Sequence, residues 1–338
     1  MTFKTSKIYK NISKLAILAA VSVLFMLSFT ACGKKSSAEE GKGKINVVCT
    51  IFPEYDWVRE LIKGNEDKFN VTMLMANGAD LHNFQPTAED ILKISECDIF
   101  IYVGGESDGW AEDALKEGKN SNRVVINLMD AIGDRKREEE LVEGMQGEEE
   151  EEGEGEEEEE EYDEHVWLSL KNAKLIVNVI EEKLSAADPD DKDKYEKNLK
   201  DYTAKLDELD AKYSEMVSGA SKKTVVFGDR FPFRYLVDDY NIDYFAAFIG
   251  CSAETEASFK TVTFLAEKLD ELGLTSILTI ETSDQSIAKT IVENTKDKNQ
   301  KILTLDSMQS VTAKEADGGK NYLRIMEENF DTLSEALR

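Results

Sequence analysis

The feature that most limits how this chain can fold is an alternation of short apolar runs with amphipathic stretches, made twice over in sets of four. INVVCTIF (45–52), FNVTMLM (69–75), CDIFIYVGG (97–105) and RVVINL (123–128) are β-branched or aromatic runs of strand length. Between them the spacing turns helical, as from Tyr55 to Ile62. Pro86 and Thr87 open another helix through Ile94, where Thr87 and Asp90 form a capping-box pair. The pattern resumes later with TVVFG (224–228), IDYFAAF (242–248), TSILTIE (275–281) and KILTLD (301–306), and closes on a helix from Tyr322 to Leu337. Strand–helix units in series predict parallel sheets with helices on their faces.

The interruption has its own character. Leu170 to Leu184 and Asp191 to Val217 are long helical patterns divided by a turn at Pro189. The second would run about 40 Å at the helical rise, enough to pass from one sheet to the other. The expected fold is therefore α/β, with two four-stranded parallel-sheet lobes joined by one long linker helix and a duplicated topology. The lobes are expected at 45–168 and 219–338, with the helical segment at 169–218.

Charge and cysteines narrow the function. The net charge of −28 is largely local, because residues 148–161 hold twelve glutamates and two glycines. Residues 148–164 are expected to form a solvated, disordered acidic loop, with loose cation collection as a lesser option. Such acidity argues against nucleic acid as a partner, since binding phosphates needs a basic patch. Apart from Cys32, the cysteines are Cys49, Cys97 and Cys251, an odd number without metal-type spacing, so no disulfide framework is expected. Trp57, Trp110 and Trp167 read as core or lobe-packing aromatics.

The N-terminus reads as an export signal over 1–31. Lys4, Lys7, Lys10 and Lys14 precede an apolar run from Leu15 to Ala31, and Cys32 follows two small residues. The cysteine with Gly33 behind it resembles a bacterial lipobox, which implies cleavage before Cys32 and lipidation of its thiol. Residues 32–44 are then a flexible tether. The alternative is an uncleaved membrane anchor. Both readings place the folded part outside the cytoplasm and tethered to a membrane.

Only two histidines occur, and imidazole is the commonest transition-metal ligand among side chains. His82 lies in the loop after the second strand, and His165 lies at the exit from the first lobe. In open parallel sheets, ligands bind beyond the carboxyl ends of the strands. Asp229 and Arg230 follow one strand of the second lobe, and Glu281, Asp284 and Gln285 follow another. Facing lobes would bring two imidazoles from one wall to carboxylates from the other, a set suited to a divalent transition metal. Glu281 or Asp284 equally qualifies as a cap for the helix beginning near Ser286.

The segments GADLHNFQPTAEDILKI (78–94), GGESDGWAEDAL (104–115), DEHVWLSLKNAKLI (163–176) and DPDDKDKYEKNLKDYTAKLDELDAKY (188–213) come in that order. Together they closely resemble the zinc/manganese-binding lipoproteins of bacterial ABC transporters, the cluster A-I solute-binding proteins of zinc-uptake type. The resemblance implies a single interlobe metal site with His82 and His165 as ligands. It also implies a membrane permease and its ATPase as partners, with the receptor a monomer. The family's third ligand is usually His or Glu, and alignment of FGDRFPFRYL (227–236) puts Arg230 there. A guanidinium stays protonated and cannot coordinate a cation. Asp229 would substitute, or Arg230 would orient a carboxylate from outside the shell. The fourth ligand is an acid after the third strand of the second lobe, for which both Glu281 and Asp284 qualify. Cys251, in GCSAETEAS, is a further candidate facing the cleft, and its thiolate would favour Zn2+ over Mn2+.

The leading expectation is thus an extracytoplasmic receptor that captures zinc, or manganese, for an ABC importer, and not an enzyme. A surface adhesin with a degenerate metal site is the alternative that Arg230 keeps open. A secreted metallohydrolase is a third class, but the sequence has no HExxH pairing, nucleophile elbow or phosphate loop.

Overall fold

All eight apolar runs form strands, and each set of four makes its own parallel sheet. The first holds β1 (Ile45–Cys49), β2 (Phe69–Met73), β3 (Ile99–Tyr102) and β4 (Val124–Asn127) in the order β2-β1-β3-β4. The second holds β5 (Thr224–Phe231), β6 (Asp243–Ile249), β7 (Ser276–Ile280) and β8 (Lys301–Leu305) in the order β6-β5-β7-β8. The topology is the same one used twice. Every residue of β3 and of β7 is buried, which is why these strands read as continuous apolar runs without alternation. The computed structural model describes residues 43–116, 118–147, 161–252 and 256–338. The export signal, Cys32, most of the tether and the glutamates of 148–160 lie outside the described residues.

Helices α1 (Phe52–Leu61), α2 (Ala88–Glu96), α3 (Gly109–Lys116) and α4 (Leu128–Ile132) belong to the first lobe. The Thr87–Asp90 capping box opens α2 as the sequence predicts. Helices α7 (Arg234–Tyr240), α8 (Phe259–Leu272), α9 (Ser286–Asn294), α10 (Ala313–Asp317) and α11 (Tyr322–Ala336) belong to the second. Between the lobes run α5 (Leu170–Ala187) and the 28-residue α6 (Lys192–Gly219). One face of α6 buries Tyr195, Tyr202, Leu206, Leu209, Tyr213 and Val217 at helical spacing. Near its start, the Asn198 amide donates to the Leu61 and Lys63 carbonyls of the first lobe. Near its end, the Tyr213 hydroxyl donates to the Met326 carbonyl of α11. The helix therefore backs both lobes. No helix among the described residues is long and apolar enough to cross a membrane.

The lobes also share a core. One apolar cluster runs from Val47 and Trp57 through Trp167 to Phe227, Leu278 and Tyr322. Trp167 is fully buried and its indole donates to the Ser307 carbonyl at 2.9 Å. The Tyr322 hydroxyl donates to the Trp167 carbonyl at 2.7 Å, and the Tyr322 ring packs on Trp57. A second crossing flanks the glutamate-rich segment. Glu138 pairs with Tyr162, and the Gln146 amide then donates to the Ala247 carbonyl on the edge of the second sheet.

One difference from the sequence reading bears on the site. β5 does not stop at Gly228 but continues through Phe231, with a register shift between Phe227 and Arg230 against β6. Asp229 and Arg230 are therefore strand residues at a bulge, a device that re-aims side chains at the edge of a site.

Candidate metal site

His82 and His165 are brought together by two short turns at the rim of the first sheet. His82 sits in the turn Leu81–Asn83 after β2, where the Asp80 carboxylate accepts its backbone N–H at 3.1 Å. Asp163 does the same for the backbone N–H of His165 at 2.8 Å. His165 is fully buried, and Gly250 approaches it so closely that a Cβ there would meet Cε1 at 2.9 Å. The two Nε2 atoms end 3.2 Å apart.

The outward-facing nitrogens decide what those inner ones can do. His165 Nδ1 lies 3.0 Å from Asp163 Oδ1, an acceptor, so it carries the proton. His82 Nδ1 lies 2.7 Å from Ser107 Oγ and 3.3 Å from Glu164 Oε1. The Ser107 hydroxyl donates to Glu164 Oε1, so its oxygen accepts from His82 Nδ1–H. With a proton on each Nδ1, the two Nε2 atoms face the same point. Two lone pairs at this distance repel unless a proton or a metal ion lies between them. Two nitrogens on one tetrahedral zinc, each about 2.0–2.1 Å from the ion, would stand about 3.3 Å apart. Carboxylates and hydroxyls on the far nitrogens are the usual means of fixing ring orientation and tautomer in metal sites.

The second lobe supplies a thiol. Cys251, in the loop after β6, has its Sγ within 4.8 Å of both imidazoles, and its S–H points to Glu164 Oε1 at 3.5 Å. Burial and then the charges of Glu139, Glu164 and Asp163 push its pKa far above the ordinary thiol value, so it is protonated until a cation displaces the proton. Burial alone would depress His165, but Asp163 first and then Glu164 and Glu139 outweigh it and raise its pKa. Burial also opposes the charge on Glu164, yet the His82 and Ser107 bonds hold its pKa below the ordinary value. A cavity of about 310 Å³ opens onto this group, lined by His82, Cys251 and the acids Glu106, Glu139, Glu161 and Glu164. Its acidic walls favour cation entry.

The other candidates are placed differently. Glu281 stands at the end of β7, as expected, but the loop after β8 claims its carboxylate. Ser307 N–H, Ser307 Oγ and Gln309 N–H donate to it at 2.7, 2.9 and 3.2 Å. Asp284 is exposed and accepts the N–H of Ser286, the first residue of α9, at 2.7 Å. Among the described residues, the groups drawn together within 4.8 Å are His82, His165 and Cys251, and neither acid is among them. Asp229 accepts the Arg230 N–H at 2.8 Å and lines a neighbouring cavity of about 500 Å³ with Ser283 and Asp284. Arg230 points across the cleft to Asp80, 2.7 Å away. Sequence reasoning missed Asp80, Ser107, Asp163 and Glu164. The Asp-x-His spacing shared by Asp80–His82 and Asp163–His165 is the signal that marks two of them.

The fold defines the class, a two-lobed α/β protein whose lobes are joined by a long helix. Residues 47–336 match the family described as ZnuA, zinc-uptake complex component A periplasmic, and the chain belongs to that family. It is 32% identical over 333 residues to the "High-affinity zinc uptake system protein ZnuA" of Bacillus subtilis (strain 168), covering 97% of this chain and 98% of that one. It is 31% identical over 323 residues to the "Zinc-binding lipoprotein AdcA" of Streptococcus pneumoniae (strain ATCC BAA-255 / R6). That match covers 94% of this chain but only 60% of the streptococcal protein. The crystal structure of the Zn(II)-bound ZnuA-like domain of Streptococcus pneumoniae AdcA superposes with a TM-score of 0.67 at 29% identity, over 87% of this chain and 99% of that one.

Proposed function

We propose that the chain is an extracytoplasmic receptor that captures a zinc ion between its lobes and hands it to an ABC importer. His82 and His165 bind the ion through Nε2 from the first lobe, and Cys251 binds it as a thiolate from the second. The observation that carries this reading is the pair of imidazole Nε2 atoms 3.2 Å apart, each ring fixed from behind by a protein acceptor. Two imidazoles and a thiolate are borderline-soft donors and favour zinc over manganese. Capture releases the Cys251 proton and any proton on His165, so affinity falls as pH drops. Membership of a zinc-uptake family and the zinc-binding names of its relatives support the same cargo. On this reading residues 45–168 and 219–338 are the two lobes and Cys32 carries the lipid that holds the receptor at the membrane beside its permease.

The test is metal stoichiometry and affinity, measured by chelator competition. One tight zinc per chain is expected, with His82→Ala and His165→Ala each weakening it by more than the roughly 100-fold that loss of an outer partner costs. Cobalt loading should give a thiolate charge-transfer band that Cys251→Ser abolishes. Weak, multiple binding indifferent to all three substitutions would sink the site.

A further inference from the structure

Arg230 does not coordinate and does not face solvent, since its side chain is only 15% exposed. It stands on β5 of the second lobe, aimed by the bulge between Phe227 and Arg230. Its guanidinium nitrogen donates at 2.7 Å to Oδ2 of Asp80, a first-lobe residue that is itself 16% exposed. The other oxygen of Asp80 accepts the backbone N–H of His82. A single carboxylate therefore joins a second-lobe cation to the turn that carries a proposed ligand. Burial works against the Asp80 charge, but the Arg230 charge and bond, with the His82 N–H, hold its pKa below the ordinary value.

The rest of the His82 loop is also anchored to the second lobe, but further back. The Ala313 N–H donates to the Ala76 carbonyl at 2.9 Å. Gly78, at φ +74°, passes so near Ser310 that a Cβ would lie 2.5 Å from its carbonyl oxygen. These backbone contacts hold the start of the loop. Past Gly78, the bond between Asp80 and Arg230 is a polar tie to the other lobe that reaches the turn itself. Asp80 Oδ1 also lies 4.0 Å from His82 Nε2, near enough to swing toward a bound ion if released.

We infer that Arg230 is a positioning residue for metal capture: by holding Asp80 across the cleft it fixes the His82 turn and latches the two lobes over the ion. This rests on the metal-site reading given above. The latch slows escape of the ion, because His82 can turn away only after the Arg230–Asp80 bond opens. Arginine suits the task better than lysine, because its planar fork holds one fixed geometry against a carboxylate.

The test uses the full chain in detergent and the variants Asp80→Asn, Arg230→Met, the double variant and Arg230→Lys. Zinc release into excess chelator should quicken about tenfold in either single variant, the lower end of what outer partners contribute to metal sites. The double variant should release no faster than the singles, because the two residues act as one unit. Arg230→Lys should recover part of the loss. Amide exchange over Leu81–Asn83 in metal-free protein should quicken in the same variants, and the cobalt spectrum should keep its thiolate band. Additive losses, unchanged exchange, or slower release from Arg230→Met would each overturn the latch. A wild-type chain without tight zinc would overturn the metal site and the role of Arg230 on it together. Tight zinc with unaltered release and exchange overturns the latch alone.

Discussion

Replacing Asp163 with asparagine tests the site from behind. Asp163 Oδ1 takes two bonds, from the His165 backbone N–H at 2.8 Å and from its Nδ1 at 3.0 Å, and the side chain is 4% exposed. Asparagine keeps an acceptor oxygen of the same shape and loses only the charge. Outer partners of metal-bound histidines contribute roughly 10- to 100-fold in affinity. Asp163→Asn should therefore sit at the low end, about tenfold or ~1.4 kcal/mol at pH 8. Asp163→Ala also leaves the ring and a buried N–H without an acceptor, and should reach about 100-fold. The pH dependence adds a second constraint. Asp163 is the largest cause that raises the His165 pKa, overcoming the burial that would lower it. A raised pKa means protons compete with metal up to a higher pH in the wild type. The asparagine variant loses that competition, so its deficit should shrink between pH 8 and pH 6. Chelator competition at both values reads the effect. An Asp163→Asn variant as tight as wild type at pH 8, or a deficit that widens in acid, would refute the reasoning.

Two further predictions concern stability. Glu54 is fully buried at the start of α1, and burial first, then Asp108, raises its pKa to about 8. In the unfolded chain it ionises near the ordinary glutamate value, about 4.3. Between those values the folded state keeps a proton that the unfolded state has lost. Stability from this group is thus complete below about pH 4.3 and falls by up to ~1.4 kcal/mol per pH unit until the folded pKa is passed. Glu54→Gln should flatten that slope in urea unfolding between pH 5 and 8, and parallel slopes would count against a neutral Glu54. Trp167→Ala removes a fully buried indole bonded to Ser307, and should cost about 3–5 kcal/mol. A loss under about 1 kcal/mol would show that the shared core does not depend on it.

How much of this was legible in the sequence depends on the range of the interactions. The eight strands were, from their β-branched and aromatic runs, which are continuous where burial covers both faces, as in β3 and β7, and so was α6, whose tyrosines and leucines fall on one face. The histidines stood out by scarcity, His82 also by its place in the loop after β2 and His165 by its place at the exit from the first lobe. Least legible were the side-chain partners that lie far away in sequence. Glu281 was correctly put at the end of β7, but nothing local reveals that Ser307 and Gln309 come round from β8 to claim it. Asp284 had a local alternative at the start of α9, where its carboxylate accepts the Ser286 N–H. Arg230 lay beyond the expected end of β5, since Asp-Arg reads as a loop unless the bulge is known. Its orientation of a carboxylate was foreseen in kind, but Asp80, 150 residues away, could not be picked out.

The shared core changes how the cleft must work. A binding protein whose lobes meet only through a linker can open widely, but here Trp57, Trp167 and Tyr322 sit in one cluster that belongs to both lobes. Swinging the lobes apart would wet at least two of these rings, about 300 Å² of apolar surface. At about 25 cal/mol per Å² that costs near 8 kcal/mol, a sum comparable to the whole stability of a domain. Wide opening is therefore closed to this chain as a routine step. On the proposed function, metal would enter and leave by motion of the loops at the rim, through the acidic cavity lined by His82 and Cys251. Resistance to exit then falls on the contacts that hold those loops rather than on the hinge. The Asp80–Arg230 pair is one such contact that can open without disturbing the core, which is why a substitution there should change the rate of release and leave the fold intact.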